Sequence, residues 1–566
     1  MKNLKLLWIA CLTICCSFTV YSSFAQDFDE LNEQADKEYL ANNYQKAVDL
    51  ATQAINRKIN SRSYFIRADA RFSLMDYESA LEDYNKAITD YNSYYSTDKY
   101  KGRLYYWRAR CKQKLNECTD AIIDFTTCLS YNYEDAGYAY WNRGNCYFEQ
   151  TKYQESDDDY TKAIDRLSDS KDLAKLYKYR GDCMAHLLKY SDADKLYTRS
   201  ISYNANYYNA YWSRAYYRSI DLKSDDAIAD YKKTVSIIEA SGSNSNNEDL
   251  PAVYRNLALL YYDLNKNNEA LEAINKSLLA DPNYINGFQT RADIYQQMKN
   301  YAKAKEDYTN AITLLNDDKA ISDLYFDRSY KLGWKTLDYK STLDDLNKSI
   351  ALDPKGAMKF WHRSITYGYK KDNVNSLADC NKAIQLYNEK VPSGLYQLRA
   401  SLKEKAGDFK AAINDYQLAL KTDDKNATLY YNIGRLFKTK LNNSGLAETN
   451  LVKAIELDKT DGIASSTYAY AKIFLGETQE AIAFILENIE KNKDDSYQYK
   501  WQLHNAACIY SLAGNKLKAL EYLDKSLAAG FDDYDHLIND RDLISLTALP
   551  QYKTILIKYK VPQPKW

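Results

Sequence analysis

The sequence predicts an all-α fold, an α-solenoid of about fourteen helix–turn–helix repeats, on three grounds. The 566 residues include only 17 Gly and 7 Pro, so few positions break a helix. Tyrosine is heavily used, at 56 residues, which calls for many similar half-buried positions. Above all, one unit recurs: Tyr/Phe-x-x-Arg followed by Ala, Gly or Ser, an aromatic closing a short polar turn, then Ala, Tyr and Ala-Ile. It reads clearly in YFIRADARFSLMDYESALEDYNKAI from Tyr64, YWNRGNCYFEQTKYQESDDDYTKAI from Tyr140 and FQTRADIYQQMKNYAKAKEDYTNAI from Phe288.

In chain order, residues 1–25 predict a signal peptide. Lys2 and Lys5 open it, an apolar run from Leu6 to Val20 follows, and Ser23-Phe24-Ala25 before Gln26 is a small-x-small cleavage signal. The apolar run is shorter than the ~20 residues of a membrane span, so export with cleavage after Ala25 is expected. Cys15 and Cys16 follow Ile14 and Cys15 rather than a small residue, which disfavours a lipid anchor. Repeats then fill 26–530. Alignment on Ala47 gives the successive second-helix anchors Ala80, Ala121, Ser156, Ala193, Ala227, Ala270, Ala304, Thr342, Ser376, Ala412, Ala447, Ala481 and Ala519, spaced by 33 to 43 residues. Extra length falls between units, at Ser93–Arg103 and Ala240–Asp249. Lys+Arg (76) and Asp+Glu (77) nearly cancel, which argues against a nucleic-acid or anionic-membrane surface.

The unit resembles the tetratricopeptide repeat in its aromatic, small, aromatic series on the first helix and its two alanines on the second. The turns MDYESA, KNYAKA and AGDFKAA match too, as do Pro282 and Pro354 after second helices. The resemblance implies stacked helical hairpins in a right-handed superhelix with a concave groove lined by first helices. GFDDYDHLINDRDLISLTALPQYKTIL, largely within 531–566, is similar to the helical end segments of bacterial members and is expected to cap the open end. The residue after each leading aromatic is expected to face the groove as a partner-binding position: Phe65, Tyr106, Trp141, Trp212, Phe326, Trp361 and Tyr431, with Arg255 and Lys178 in the same place.

The repeated Arg poses a physical question, because a charge buried in a packing surface is costly unless paired. Fourteen copies supply an internal comparison. In seven of nine Arg-bearing copies an Asp lies sixteen residues on: Arg67/Asp83, Arg108/Asp124, Arg143/Asp159, Arg214/Asp230, Arg291/Asp307, Arg363/Asp379 and Arg399/Asp415. Arg328 has Asp345, one residue further. The five copies without Arg have no such Asp, and Arg180 faces Leu196 with Asp194 as the nearest substitute. Arg–carboxylate forks are bidentate, so these pairs predict helix–helix staples within a hairpin rather than a ligand site.

No catalytic signature is present: no H-E-x-x-H, phosphate-binding Gly-rich loop or G-x-S-x-G. Four histidines (His186, His362, His504 and His536) are scattered along the chain, so neither a metal site nor a cofactor is expected. Seven cysteines follow the leader (Cys111, Cys118, Cys128, Cys146, Cys183, Cys380 and Cys508), an odd number without C-x-x-C, and read as small buried hydrophobes. The expected molecule is an exported, non-enzymatic scaffold, in the periplasm or at the outer membrane. It would bind protein or peptide partners in its groove during assembly of an envelope complex. Its leader and Asn/Lys/Tyr-rich composition look like those of Bacteroidota envelope proteins. The alternative is a glycan- or peptide-capturing module of an envelope uptake system.

Overall fold

The computed structural model describes residues 28–91, 98–131, 133–241, 248–388, 391–461 and 466–561; the expected signal peptide lies outside them. Among the described residues there is no strand, and twenty-eight helices pair in chain order as fourteen antiparallel hairpins. They run from 28–40 with Tyr44–Arg57 to Ser496–Leu512 with Lys516–Ala528. All fourteen second-helix anchors are buried, from Ala47 to Ala519. No helix among the described residues is long and apolar enough to cross a membrane.

Each hairpin is built by the same local devices. The first helix ends on a left-handed residue two positions before the second begins: Met75 (φ 64), Thr151 (φ 59), Leu222 (φ 57), Gly407 (φ 83) and their equivalents in all fourteen turns. This closes a Schellman motif, in which the Asp76 N–H donates to the Arg71 carbonyl at 3.0 Å. Several turns also cap the next helix, as when Asp76 accepts from the Ser79 N–H or Asp408 from the Ala411 N–H. Between the helices a small residue meets a large one. A Cβ added at Gly144 would lie 2.8 Å from Tyr160 Cε1, and one at Gly181 would lie 2.6 Å from Tyr197 Cε1. Tyr84, Tyr160, Tyr197, Tyr231 and Tyr308 occupy this one second-helix position and are among the largest fully buried side chains, which accounts for part of the tyrosine excess.

Where the repeat phase alone gives one continuous array over 26–530, the chain divides into two compact units, Met1–Pro282 and Asn283–Trp566. Repeats touch mainly their neighbours, so a division can fall at a hairpin boundary without disturbing the pattern that betrays the repeats. The second unit carries the C-terminal segment: helix Tyr534–Asn539, a 3-10 turn Arg541–Leu546 and helix Pro550–Lys558. Its Leu537, Leu543, Leu546 and Tyr552 bury themselves with Leu520, Leu523 and Leu527 of the last hairpin. The segment also reaches further back within that unit. Arg541 Nη2 donates to Asn432 Oδ1 at 3.2 Å, and its Nη1 lies 3.5 Å from Glu404.

Candidate functional site

The repeated arginines are forked onto their aspartates. In all eight within-hairpin pairs Nε donates to one carboxylate oxygen and Nη2 to the other, at 2.6–2.9 Å. The acceptors Asp83, Asp124, Asp159, Asp230, Asp307, Asp345, Asp379 and Asp415 are all buried, so they lie between helices and line no surface that a partner could reach.

Five of these carboxylates also hold a second cation: Asp159 takes Lys162 of its own helix at 3.5 Å, and the other four take a cation from the first helix. Asp83 also takes Arg71 (2.7 Å), Asp124 takes Lys112 (2.7 Å), Asp230 takes Arg218 (2.9 Å) and Asp415 takes Lys403 (2.7 Å). The physical reason is helical spacing: each of the four first-helix cations stands four residues after the staple Arg, one turn along the same face. Asp379 accepts both donors of Arg363, at 2.7 and 2.8 Å, and the residue one turn on is Tyr367, whose ring lies under that guanidinium.

The third donor of the fork does something the sequence pattern does not announce. Nη1 crosses to a Thr or Asn on the second helix of the preceding hairpin: Arg143 to Thr126 at 2.9 Å, Arg214 to Thr198 at 2.7 Å, Arg363 to Asn347 at 2.8 Å. The staple therefore joins hairpins as well as helices. Arg180 departs from expectation. It pairs with Asp157 of the preceding hairpin (2.7 Å), because Asp194 is taken by Arg218 (2.5 Å).

The expected groove residues separate into two groups. Phe65, Tyr106 and Tyr431 are buried, with 7%, 6% and 6% of their surface exposed, so their assignment as partner-facing positions is corrected to packing. The physical reason is that this first-helix position lies against the following hairpin. Phe65 packs edge-on to Tyr100 (5.7 Å), Tyr106 stacks on Tyr133 (5.0 Å), and Tyr431 meets Phe474 (5.7 Å). Trp141, Trp212, Arg255, Phe326 and Trp361 are half-buried. Trp141 stacks on Tyr138 (6.1 Å) and touches Tyr179 (6.2 Å), with Lys175 over its ring, while Trp361 lies 3.2 Å from where a Cβ on Gly394 would stand.

An open cleft of about 690 Å³ lies instead slightly further along the same helices, within the first unit. Arg110, Gln113 and Lys114 enter it from helix Asp98–Lys114. Asn142, Asn145, Phe148 and Glu149 come from helix Ala136–Glu149, and Lys178, Tyr179 and Asp182 from helix Ser170–His186. Three consecutive first helices thus present one wall each. Lys178 and Asp182 pair internally at 2.8 Å, and Glu149 accepts from the Cys118 thiol at 2.7 Å. Arg110 is the outlier. Its Nη1 donates to Tyr106 Oη at 3.3 Å, and its Nε is buried with no hydrogen-bond partner.

The repeat explains why Arg110 is left available. Two residues after the repeated Arg, four other copies carry Asp or Asn that accepts from the buried tyrosine fifteen residues on. Tyr84 donates to Asp69 (2.5 Å), Tyr160 to Asn145 (2.8 Å), Tyr197 to Asp182 (2.8 Å) and Tyr308 to Asp293 (3.3 Å). In the Arg110 copy both partners are replaced, Asp by Arg110 and Tyr by Phe125, so the pair cannot form. The fifteen-residue Asp/Asn–Tyr spacing was legible in the sequence, and its charge-reversed exception marks the cleft. Burial raises the Asp69 carboxyl to about 7, against the opposing effect of the Tyr84 hydroxyl.

Two of the scattered histidines, His504 and His536, meet in the second unit. His504, His536 and Asp540 offer ligand atoms all within 4.8 Å of one another. The turn after helix Tyr534–Asn539 doubles the chain back over helix Ser496–Leu512, which is what brings them together. The seven described cysteines are all buried and none is in a disulfide, but Cys508 lies beside this cluster, 3.2 Å from Asp540.

The chain carries tetratricopeptide repeats: the Tetratricopeptide repeat family model matches residues 61–89, 137–166, 251–284, 286–317, 393–426 and 427–461. Among curated proteins, TPR repeat-containing protein MJ1428 of Methanocaldococcus jannaschii is 22% identical over 337 residues, 56% of this chain and 51% of that one. Human serine/threonine-protein phosphatase 5 is 26% identical over 184 residues, 32% of this chain and 35% of that one. The chain spans about half the length, or less, of these curated relatives. Among solved structures, the C-terminal part of a TPR repeat-containing protein from Cytophaga hutchinsonii aligns with a TM-score of 0.39 at 17% identity. The alignment covers 46% of this chain and 98% of that one.

Proposed function

We propose that this chain is an exported, non-catalytic scaffold that holds an extended, acidic segment of a partner protein during assembly of a cell-envelope complex. The observation that carries the reading is the cleft. Its volume of about 690 Å³ is within the range of ligand-binding clefts, and it is lined with amides, the aromatic residues Phe148, Tyr160 and Tyr179, and Arg110. Lys114 adds a second cation, and a carboxylate from a bound peptide would be attracted by these two positive charges. The Lys2/Lys5 leader ending at Ala25 supports export, and the near-neutral charge balance supports a protein rather than a nucleic-acid partner. A sugar-capturing module would call for open Trp faces beside polar groups, and the half-buried Trp141, Trp212 and Trp361 lend it less support.

The test is a crosslinked capture from envelope fractions with the wild type and with Arg110→Glu/Lys114→Glu. A protein captured by the wild type should fall at least tenfold with the double variant, and capture should weaken with salt. Trp212→Ala, outside the cleft, should leave it unchanged. Equal capture by the wild type and the double variant, with unchanged circular dichroism, defeats the proposal.

A further inference from the structure

We infer that His504, His536 and Asp540 form a binding site for one zinc-type divalent ion, with Cys508 beside them to complete the coordination, fastening the C-terminal segment to the last hairpin. The four residues come as two pairs. His504 and Cys508 are four apart on helix Ser496–Leu512 and share one of its faces. His536 lies on helix Tyr534–Asn539, and Asp540 follows four residues later, at the start of the 3-10 turn. The pattern H-x3-C with H-x3-D uses the short intra-pair spacings common in structural zinc sites, and imidazole, thiolate and carboxylate are all zinc ligands.

His504, His536 and Asp540 hold their ligand atoms within 4.8 Å of one another, close enough for one small ion to draw together, and Cys508 touches two of the three. With zinc–ligand bonds of about 2.0–2.3 Å, the edges of a tetrahedron are about 3.3–3.7 Å. His504 Nε2 stands 3.0 Å from Asp540 Oδ2 and 3.7 Å from Cys508 Sγ. Cys508 Sγ is 3.2 Å and His536 Nε2 3.5 Å from the same Oδ2. Three groups thus converge on a single carboxylate oxygen. The other oxygen, Oδ1, accepts from the Asp542 N–H at 2.9 Å, which aims Oδ2 at the cluster. The His504 ring is wedged parallel to Phe531 (4.5 Å) and lies edge-on to Trp501 (6.1 Å). Its Nδ1 has no hydrogen-bond partner, so Nε2, in the cluster, is the ring's one polar engagement. His504 and Cys508 are buried and the Asp540 side chain is 8% exposed, whereas the His536 side chain is 48% exposed and gives an ion its way in.

Binding would release the Cys508 proton, because the thiolate is the ligand. Full-length protein stripped with chelator is titrated with Zn2+ and with Co2+. One ion should bind per chain. Co2+ should give tetrahedral visible bands with a near-ultraviolet sulfur charge-transfer band, and Zn2+ should raise Tm by at least about 5 °C. His536→Ala changes a half-exposed side chain, so it should keep its circular dichroism while its Zn2+ affinity falls more than 100-fold. Cys508→Ser should abolish the charge-transfer band selectively. No stoichiometric binding to the wild type, or undiminished affinity in folded His536→Ala, overturns the site and leaves a hydrogen-bonded strut.

Discussion

Arg143 commits three donors at once, two to Asp159 and one to Thr126, and stands over the Tyr140 ring at 5.4 Å. The side chain of Asp159 is only 2% exposed, so removing it strands a desolvated guanidinium. Asp159→Ala should therefore cost about 3–5 kcal/mol, measured by denaturant unfolding, and Arg143→Leu/Asp159→Leu clearly less. A double variant as unstable as the single would contradict the staple. Asp69 sets an opposite pH signature. Its folded value of about 7 lies above the ordinary ~3.9, so the folded chain keeps a proton that the unfolded chain releases. That contribution is complete below pH ~4 and is lost as pH rises toward 7, at up to about 1.4 kcal/mol per unit. Asp69→Asn should flatten this decline in a pH series of unfolding free energies and keep the Tyr84 bond, as Asn145 does with Tyr160.

At the scale of the hairpin, the left-handed turn residue is the costly part. Eleven of the fourteen turns place a residue other than glycine there. An L side chain in this region costs about 1–2 kcal/mol, and glycine gives back about half through its freer unfolded chain. Leu222 (φ 57) is 88% exposed, so no packing rewards its side chain. Leu222→Gly should stabilise the protein by about 0.5–1 kcal/mol, read as a higher denaturation midpoint with unchanged slope. Leu337 has the same backbone geometry but is buried, so the gain there would be offset by lost packing. The strain was not legible in the sequence, since Met75, Thr151 and Leu188 carry no turn signal of their own. The hairpin imposes it: the second helix must begin two residues later wherever the anchor alanine is to be buried.

For the molecule as a whole, the first-helix faces of the two units have different fates. In the second unit the chain's own C-terminal segment brings Arg541 to Glu404 and Asn432, and Arg435 Nη2 donates to both Glu404 carboxylate oxygens at 2.8 and 2.7 Å. In the first, the helix faces around Arg110, Asn142 and Lys178 stay open as the cleft. The two site predictions belong to this scale. Loss of capture on charge reversal reports the first unit, and loss of zinc on His536→Ala reports the second.

The amino acids alone were enough for the hairpins, their number, their anchors and eight of the nine Arg–Asp partners, all but that of Arg180. These depend on residues sixteen or seventeen apart on two helices joined by a short turn, and fourteen copies made the rule statistical within one chain. The second cations on Asp83, Asp124, Asp230 and Asp415 stand four residues after the staple Arg, a spacing the sequence also carries, but the other four staple copies have Tyr or Leu there, so the pattern is half as frequent. Which aromatic side chains stay accessible depends on the neighbouring hairpin, so folding had to settle it. Packing took Phe65, Tyr106 and Tyr431 and moved the candidate site from Trp141 to Arg110. Folding likewise brought His504 and Cys508 to His536 and Asp540, since a contact made by a single chain reversal has no repeat to announce it.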